Sequence, residues 1–180
     1  MNRDVRRERF EDLARPLVEP LRRYLARRTD AATADDVLAE TLLVCWRRLD
    51  DVPPEALPWA YGVARNCLAN AARSVRRQHR LAARIATVDP PAASTPGPGD
   101  SGDPDLADAL AALREEDAEL LRLWAWEELA PAEIATVLGI TPNAASIRLH
   151  RAREKLKEEL IGRKAGTGTG HEESTEGRRT

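Results

Sequence analysis

Residues 131–153 contain the pattern that most restricts the fold of this chain: a short helix, a tight turn and a second helix. Gly139 permits the left-handed backbone of such a turn, and Ala135 is small enough to let the two helices approach closely. Thr141 is placed to cap the second helix, and Pro142 fits its first position, where a missing N–H costs nothing. The segment therefore predicts a helical pair joined by a three-residue turn.

The second helix of this pair has two different faces. Small and apolar residues recur along it at spacings of three and four, which predicts one buried face. The opposite face is small, polar and basic, with no acid before Glu154, and such a face suits the major groove of DNA. An ordinary helical hairpin with a solvated basic face is the alternative interpretation. The predicted buried face consists of Ala145, Leu149, Ala152, Leu156 and Leu160, and the predicted DNA face, including its cap, consists of Thr141, Asn143, Ser146, Ile147, Arg148, His150, Arg151 and Arg153.

The rest of the chain divides into two helical parts. Ala, Leu and Arg dominate and only 4% of residues are aromatic, which favours helices over sheets. Residues 88–105 are rich in proline and glycine and offer little to bury, so they predict a flexible linker. The sequence thus predicts an all-α fold with helical domains at 1–87 and 106–161, and a disordered polar tail at 162–180.

In the N-terminal domain the apolar spacing predicts four helices, three of which have readable bounds. The first spans about Arg7–Arg28, where two internal prolines should kink or divide it. The second is capped by Thr33 and carries Asp35 and Asp36 in its first turn, where negative charge favours the helix dipole. The third spans Trp59–Arg80, and its second half is strongly basic.

Charge is distributed unevenly, although the formal net charge is only −2. The segment Arg65–Arg80 contains five arginines and no acid, while the C-terminal domain is acidic despite its basic helix. Phosphate affinity is therefore local, and the whole chain should bind free DNA weakly. Cys45 and Cys67 lie inside apolar helical patterns, which favours small core residues over a thiol switch.

Several classes of function lack support. No run approaches the length of a membrane span, and the first ten residues are charged rather than signal-like, which predicts a cytoplasmic protein without membrane insertion. The histidines at 79, 150 and 171 are far apart, no glycine-rich phosphate loop follows a strand, and two cysteines alone do not make a metal site. We therefore expect no catalytic residues, no metal, no cofactor and no enzymatic activity.

Two segments, in order, resemble conserved regions of bacterial RNA polymerase sigma factors. Residues 35–49 (DDVLAETLLVCWRRL), a proline loop and residues 58–77 (PWAYGVARNCLANAARSVRR) are similar to the second region. The helix–turn–helix with RLHRAR at residues 148–153 is similar to the fourth region. Two such domains joined by a linker resemble the extracytoplasmic-function (ECF) class. The resemblance implies an initiation factor that binds RNA polymerase core, directs it to specific promoters and assists DNA melting.

The resemblance also implies three contact surfaces. An acidic helix start beside an apolar stripe suits a basic helical surface of the polymerase core, although the same acids on a solvated helix would act only as caps. Aromatic and cationic side chains suit melted DNA and its phosphates at the minus-ten element. Tyr61 is equally compatible with a core position. The polymerase surface comprises Asp35, Asp36, Glu40, Leu43, Trp46 and Arg47; the minus-ten surface comprises Trp59, Tyr61, Arg65, Asn66, Arg73, Arg76 and Arg77; the DNA face would read the minus-thirty-five element.

Two features depart from the family pattern. The loop Asp50–Pro58 lacks a basic or aromatic group to hold a flipped base, and Ile147 stands where a polar residue is more usual. The alternative function is a conventional helix–turn–helix regulator with an N-terminal helical sensory domain, which would bind operator DNA as a dimer without polymerase. Marginal domains, a loose linker and exposed partner surfaces are also compatible with an inhibitory anti-sigma factor.

Overall fold

The computed structural model describes residues 3–85 and 103–167. Within these ranges the chain forms helices and no strand, which confirms the all-α prediction. None of the described helices is long and apolar enough to cross a membrane. The helices are α1 (Arg3–Ala26), α2 (Ala31–Arg47), a short 3-10 turn (Leu49–Asp51), α3 (Ala56–Ile85), α4 (Pro104–Ala112), α5 (Glu115–Ala125), α6 (Pro131–Leu138) and α7 (Pro142–Thr167).

Helix α1 is continuous through its two prolines, so the predicted division of this helix is wrong. Pro16 and Pro20 each lack an N–H donor, but the inner face of the same helix buries Leu17, Leu21 and Leu25. Packing of an apolar face supplies most of the stability of a helix in a protein, and here it outweighs the lost hydrogen bonds.

The N-cap of α2 is Asp30 and not Thr33. The carboxylate of Asp30 accepts a hydrogen bond from the backbone N–H of Thr33 at 3.0 Å and another from its hydroxyl at 2.8 Å. These hydrogen bonds lower the pKa of Asp30. Because the helix begins at Ala31, two residues before the predicted cap, Asp35 and Asp36 lie in its second turn and not in its first.

The described helix bounds also differ from those predicted at the domain edges. Helix α4 begins at Pro104, inside the predicted linker, and α7 continues to Thr167, beyond the predicted domain end at residue 161. Most of the predicted linker, and the tail after Thr167, lie outside the described residues. The N-terminal half contains three α-helices and one 3-10 turn in place of the four predicted helices.

The helices form two bundles whose cores meet. The N-terminal bundle (α1–α3) buries Leu21, Tyr24 and Val37, and the C-terminal bundle (α4–α7) buries Leu123 and Ile134. Helix α6 packs directly on α3, so that buried residues of both bundles belong to one continuous apolar cluster. The two predicted domains are therefore in contact in this structure.

Both cysteines lie in the core of the N-terminal bundle, as predicted. Cys45 and Cys67 are buried and carry free thiols. Burial raises the pKa of Cys45 to about 11 and also raises the pKa of Cys67. Neither residue supplies an appreciable thiolate near neutral pH, which fits packing residues and not a thiol switch.

Candidate nucleic-acid interface

The helix–turn–helix forms as the sequence predicted. Gly139 ends α6 in the left-handed conformation, with φ of +65°. The hydroxyl of Thr141 caps α7 by accepting a hydrogen bond from the N–H of Ala144 at 3.2 Å. At the start of α6 the carboxylate of Glu133 accepts the N–H of Ala130 at 2.7 Å. Each hydrogen bond satisfies a backbone N–H at a helix start that has no partner within the helix.

The two faces of α7 are separated as predicted along its first three turns. Ala145, Leu149 and Ala152 are buried against the bundle. All eight residues of the DNA face are exposed, including the large apolar side chain of Ile147. One side of α7 is therefore open to solvent from its first turn onward.

Farther along α7 the predicted buried face opens into a groove. Leu156 and Leu160 are only half-buried and line it together with Trp124 and Ile161, which are exposed. The guanidinium of Arg153 lies 4.7 Å from the centroid of the Trp124 ring, at the edge of this groove. The sequence did not predict the groove, because leucines at helical spacing give the same pattern whether or not another side chain packs against them.

Helix α3 carries most of the minus-ten surface on one exposed stripe. Trp59, Asn66, Arg73 and Arg77 follow one another at intervals of seven, seven and four residues, and so share one side of the helix. Asn66, Arg73 and Arg77 are exposed, whereas Trp59 is half-buried with the guanidinium of Arg48 lying 5.7 Å from its ring centroid. Arg65 and Arg76 are exposed beside this stripe.

The second half of α3 concentrates positive charge around a shallow groove. Asn70, Arg73, Arg76, Arg77 and Arg80 line it, and no acid lies among them. Arg73 is held in place, since it donates to the side-chain oxygen of Asn70 at 2.7 Å and to the carbonyl of Ala69 at 3.2 Å. A cluster of guanidinium groups without neighbouring acids suits the phosphates of a nucleic-acid backbone.

Tyr61 does not lie with the rest of the minus-ten surface. Residues two positions apart in an α-helix are separated by about 200° of rotation, so Tyr61 faces away from Trp59. Its side chain is 3% exposed, its ring centroid is 5.0 Å from that of Tyr24, and its hydroxyl donates to Glu127 of the C-terminal bundle at 3.5 Å. Burial, reinforced by Glu127, raises the pKa of Tyr61 to about 12. In this conformation Tyr61 is a core residue between the bundles.

Most of the polymerase surface forms an exposed stripe on α2. Asp36, Glu40, Leu43 and Arg47 follow one another at intervals of four, three and four residues, and Asp35 is exposed beside them. Leu43 is 44% exposed and adds an apolar side chain to this otherwise charged stripe.

Trp46 differs from the other residues of the polymerase surface because it joins α2 to α1. Its ring lies edge-on to Phe10, with centroids 5.3 Å apart, and the guanidinium of Arg6 is 5.3 Å from its ring centroid. We therefore assign Trp46 to packing within the bundle as well as to the rim of this surface.

Comparison with known proteins adds family information to this geometry. The family described as Sigma-70, region 4 matches residues 105–156, which run from α4 into α7. The RNA polymerase sigma factor CarQ of Myxococcus xanthus is 34% identical over 167 residues, covering 89% of this chain and 93% of CarQ. The ECF RNA polymerase sigma factor SigL of Mycobacterium tuberculosis is 35% identical over 141 residues, covering 75% of this chain and 79% of SigL.

Solved structures share the arrangement of helices. The sigma factor RpoE from Bartonella quintana, in complex with the anti-sigma factor NepR, superposes with a TM-score of 0.59 at 21% identity, over 84% of this chain and 98% of RpoE. CnrH, in complex with the cytosolic domain of CnrY, superposes with a TM-score of 0.54 at 25% identity, over 85% of this chain and 88% of CnrH. These likenesses support the fold of two helical domains.

Proposed function

This chain belongs to the ECF sigma factors of RNA polymerase, and we propose that it uses three separate surfaces to bring polymerase to its promoters. It is a transcription initiation factor that binds RNA polymerase core and directs it to specific promoters. The function predicted from the sequence is confirmed by these relatives, and the alternative of a conventional regulator is not supported.

The exposed stripe of α2 is the proposed contact with polymerase core. Its acids and the exposed Leu43 combine negative charge with an apolar anchor, which suits a basic helical partner. The basic groove is lined by residues of α3 alone, so the two proposed contacts of this domain use different helices.

The exposed stripe and basic groove of α3 are the proposed contact with the minus-ten element. Trp59 offers an aromatic face near the start of the helix, and the arginines from Arg65 onward supply cations for the backbone. Stacking and phosphate contacts hold a separated DNA strand and so assist promoter melting. This chain makes and breaks no covalent bond in that step. The polymerase carries out RNA synthesis, in the cytoplasm.

The DNA face of α7 is the proposed reader of the minus-thirty-five element. The observation that carries this assignment is that all eight predicted residues are exposed, above a buried Ala145–Leu149–Ala152 face. Asn143, Arg148 and Arg151 supply hydrogen-bond donors for base edges and phosphates, and Ile147 offers an apolar contact to a thymine methyl.

An anti-sigma factor is a further proposed partner. The groove beside Trp124 has an apolar floor and a basic rim formed by Arg153, Lys157 and Lys164. An amphipathic helix with acidic flanks would fill it, and occupancy of the groove would restrict the C-terminal bundle next to the DNA face.

Reconstitution with polymerase core tests the function. We expect the chain to co-purify with core and to support run-off transcription from promoters that core alone ignores. Because the net charge is −2, a mobility shift with promoter DNA and no core should show negligible sequence-specific binding at near-physiological salt. Nanomolar specific binding by the chain alone would contradict this assignment.

A further inference from the structure

We propose that Trp124 is a positioning residue for promoter recognition: its ring holds the guanidinium of Arg153 where that group contacts a phosphate beside the minus-thirty-five element. The inference rests on the proposed assignment of the DNA face of α7 to that element. Trp124 belongs to α5, and neither of the DNA-contact surfaces described above includes it. A side chain that does not itself touch DNA would thus contribute to promoter binding.

The contact joins two helices of the C-terminal bundle. The guanidinium carbon of Arg153 lies 4.7 Å from the centroid of the Trp124 ring. A guanidinium within about 6 Å of a ring centroid is attracted by the negative face of the ring, and tryptophan gives the strongest attraction of this kind. Trp124 is 40% exposed and Arg153 is exposed, so the contact lies at the surface that DNA would approach.

Arg153 is held by a ring and not by an acid. In the described part of the chain it makes no ion pair, whereas Lys155 and Arg163 of the same helix pair with Asp117 and Asp108. A carboxylate would compete with phosphate for the N–H donors of a guanidinium. An aromatic ring instead contacts the face of the guanidinium and leaves the N–H groups along its edge available. Trp124 therefore restrains Arg153 without neutralising its charge.

Arg153 lies at the edge of the DNA face. It follows Asn143 by ten positions, which corresponds to about 80° of rotation around α7, and it lies about 40° from the buried Leu149. A helix in the major groove has base edges in front of the centre of its exposed face and phosphates along its sides. This position suits a phosphate contact and not a base contact.

Restraint of the guanidinium before DNA arrives should strengthen binding. A long side chain loses rotamer freedom when it is ordered at an interface, and this loss opposes association. Trp124 follows the buried Leu123, so the core fixes the backbone from which the ring extends. Because the ring already limits the positions that Arg153 samples, less freedom remains to be lost when the phosphate binds.

A purely structural role for Trp124 makes a different prediction. The ring also lines the apolar groove with Leu121 and Leu156, and coverage of that apolar surface does not require Arg153. If Trp124 only covers the groove, substitutions of Trp124 and Arg153 should have independent effects on promoter binding. If Trp124 positions Arg153, the two substitutions should remove the same contact, and their effects should not add.

A double-mutant cycle separates these possibilities. The full chain and its variants are assembled with polymerase core, and binding is measured over a range of salt on a promoter identified by run-off transcription. Arg153→Ala should weaken binding and reduce the slope of log affinity against log salt by about one. Trp124→Leu should weaken binding about two- to fivefold, the effect expected of an exposed cation–ring contact. The double variant should bind as weakly as Arg153→Ala alone.

Arg148 provides the matched control. It is exposed on the same helix at the other edge of the DNA face, about 140° from Asn143 in the opposite direction, and among the described residues no ring lies over its guanidinium. Arg148→Ala should also reduce the salt slope. Trp124→Leu should weaken the Arg148→Ala variant by the same factor as it weakens the unmodified chain, because these two residues share no contact.

The chemistry of the side chain at position 124 gives a second readout. Trp124→Tyr and Trp124→Phe keep a ring with a weaker attraction for cations, so they should retain part of the affinity that Trp124→Leu loses. Thermal melting of the full chain checks that each variant is folded. If Trp124→Leu lowers the melting temperature, Trp124→Met replaces it in the cycle, since it has a longer apolar side chain and no ring.

Three results would overturn the inference: additive effects of the Trp124 and Arg153 substitutions, equal affinities of the Phe and Leu variants at position 124, or unchanged promoter binding by Arg153→Ala. Effects that fail to add with Arg153→Ala but add with Arg148→Ala support it. Absence of transcript from the unmodified chain at saturation would instead overturn the proposed function, so the two failures are distinguishable.

Discussion

Arg28 and Glu119 form a two-nitrogen ion pair across the two bundles, although they are 91 positions apart in the sequence. Burial lowers the pKa of Arg28, but Glu119, Tyr24 and Glu127 raise it, and the net direction is upward. The guanidinium therefore stays charged at any physiological pH. The contact between the two bundles does not depend on a proton at this arginine, so any pH dependence must come from other groups in it.

Tyr24 and Tyr61, at the contact between the two bundles, should ionise at a higher pH than an ordinary tyrosine. The pKa of Tyr61 is raised to about 12 and that of Tyr24 is raised further, in both cases mainly by burial. An acid with a raised pKa favours the state in which it is neutral and buried. The contact between the two bundles should therefore be fully stabilised below the ordinary tyrosine pKa of about 10 and should weaken as the pH rises through 12.

Absorbance at 295 nm measures this ionisation directly, because Tyr24 and Tyr61 are the only tyrosines in the chain. The unmodified chain should show little tyrosinate at pH 10.5, a value chosen about half a unit above the ordinary pKa. Glu119→Lys with Glu127→Lys should move the midpoint toward the ordinary value. An identical midpoint in both proteins would mean that these tyrosines stay buried when the glutamates are reversed.

The two faces of α7 should respond differently to truncation. Leu149 is buried, so Leu149→Ala should lower the free energy of unfolding of the C-terminal bundle by about 2–5 kcal/mol. Arg151 is exposed, so Arg151→Ala should leave stability nearly unchanged and weaken promoter recognition by about 1–3 kcal/mol if it contacts a base. Thermal melting and holoenzyme binding check these effects, and the reverse pattern would show that the proposed DNA face is misassigned.

The basic groove of α3 should assist promoter opening. Arg73→Ala with Arg76→Ala should reduce open-complex formation, and the defect should be largest at low salt, because a chain with fewer phosphate contacts depends less steeply on salt. Permanganate footprinting measures melting. Trp59→Ala should be partly rescued by a pre-melted bubble template, whereas the arginine variant should not. Normal melting in all of these variants would remove α3 from this role.

The acids of α2 should matter for binding core and not for folding. Asp35→Lys with Asp36→Lys reverses two exposed charges of the polymerase surface and should weaken association with core in a pull-down. Glu158→Lys with Glu159→Lys makes the same change at exposed positions of α7 and is the matched control. Core affinity that stays the same in the Asp35 and Asp36 variant, with helicity intact, would leave these acids without a partner role.

Local patterns in the sequence determined most of the helices, the turn and cap of the helix–turn–helix, and the family. Apolar spacings of three and four predicted α2, α3 and the two faces of α7 near its start, because the periodicity of a helix repeats within a few residues. Gly139 and Thr141 predicted the turn and the cap for the same reason, since their hydrogen bonds and backbone angles involve immediate neighbours. The family followed from the order of these segments.

Tertiary structure alone decided which long-range surfaces meet. The continuity of α1 through its prolines depends on packing by Leu17 and Leu21, and the burial of Tyr61 depends on the C-terminal bundle lying against α3. The arginine–glutamate pairs join residues about 100 positions apart, where no spacing rule applies. Such contacts arise from the shapes and charges of two assembled bundles, because a side chain finds a distant partner only after each bundle has formed.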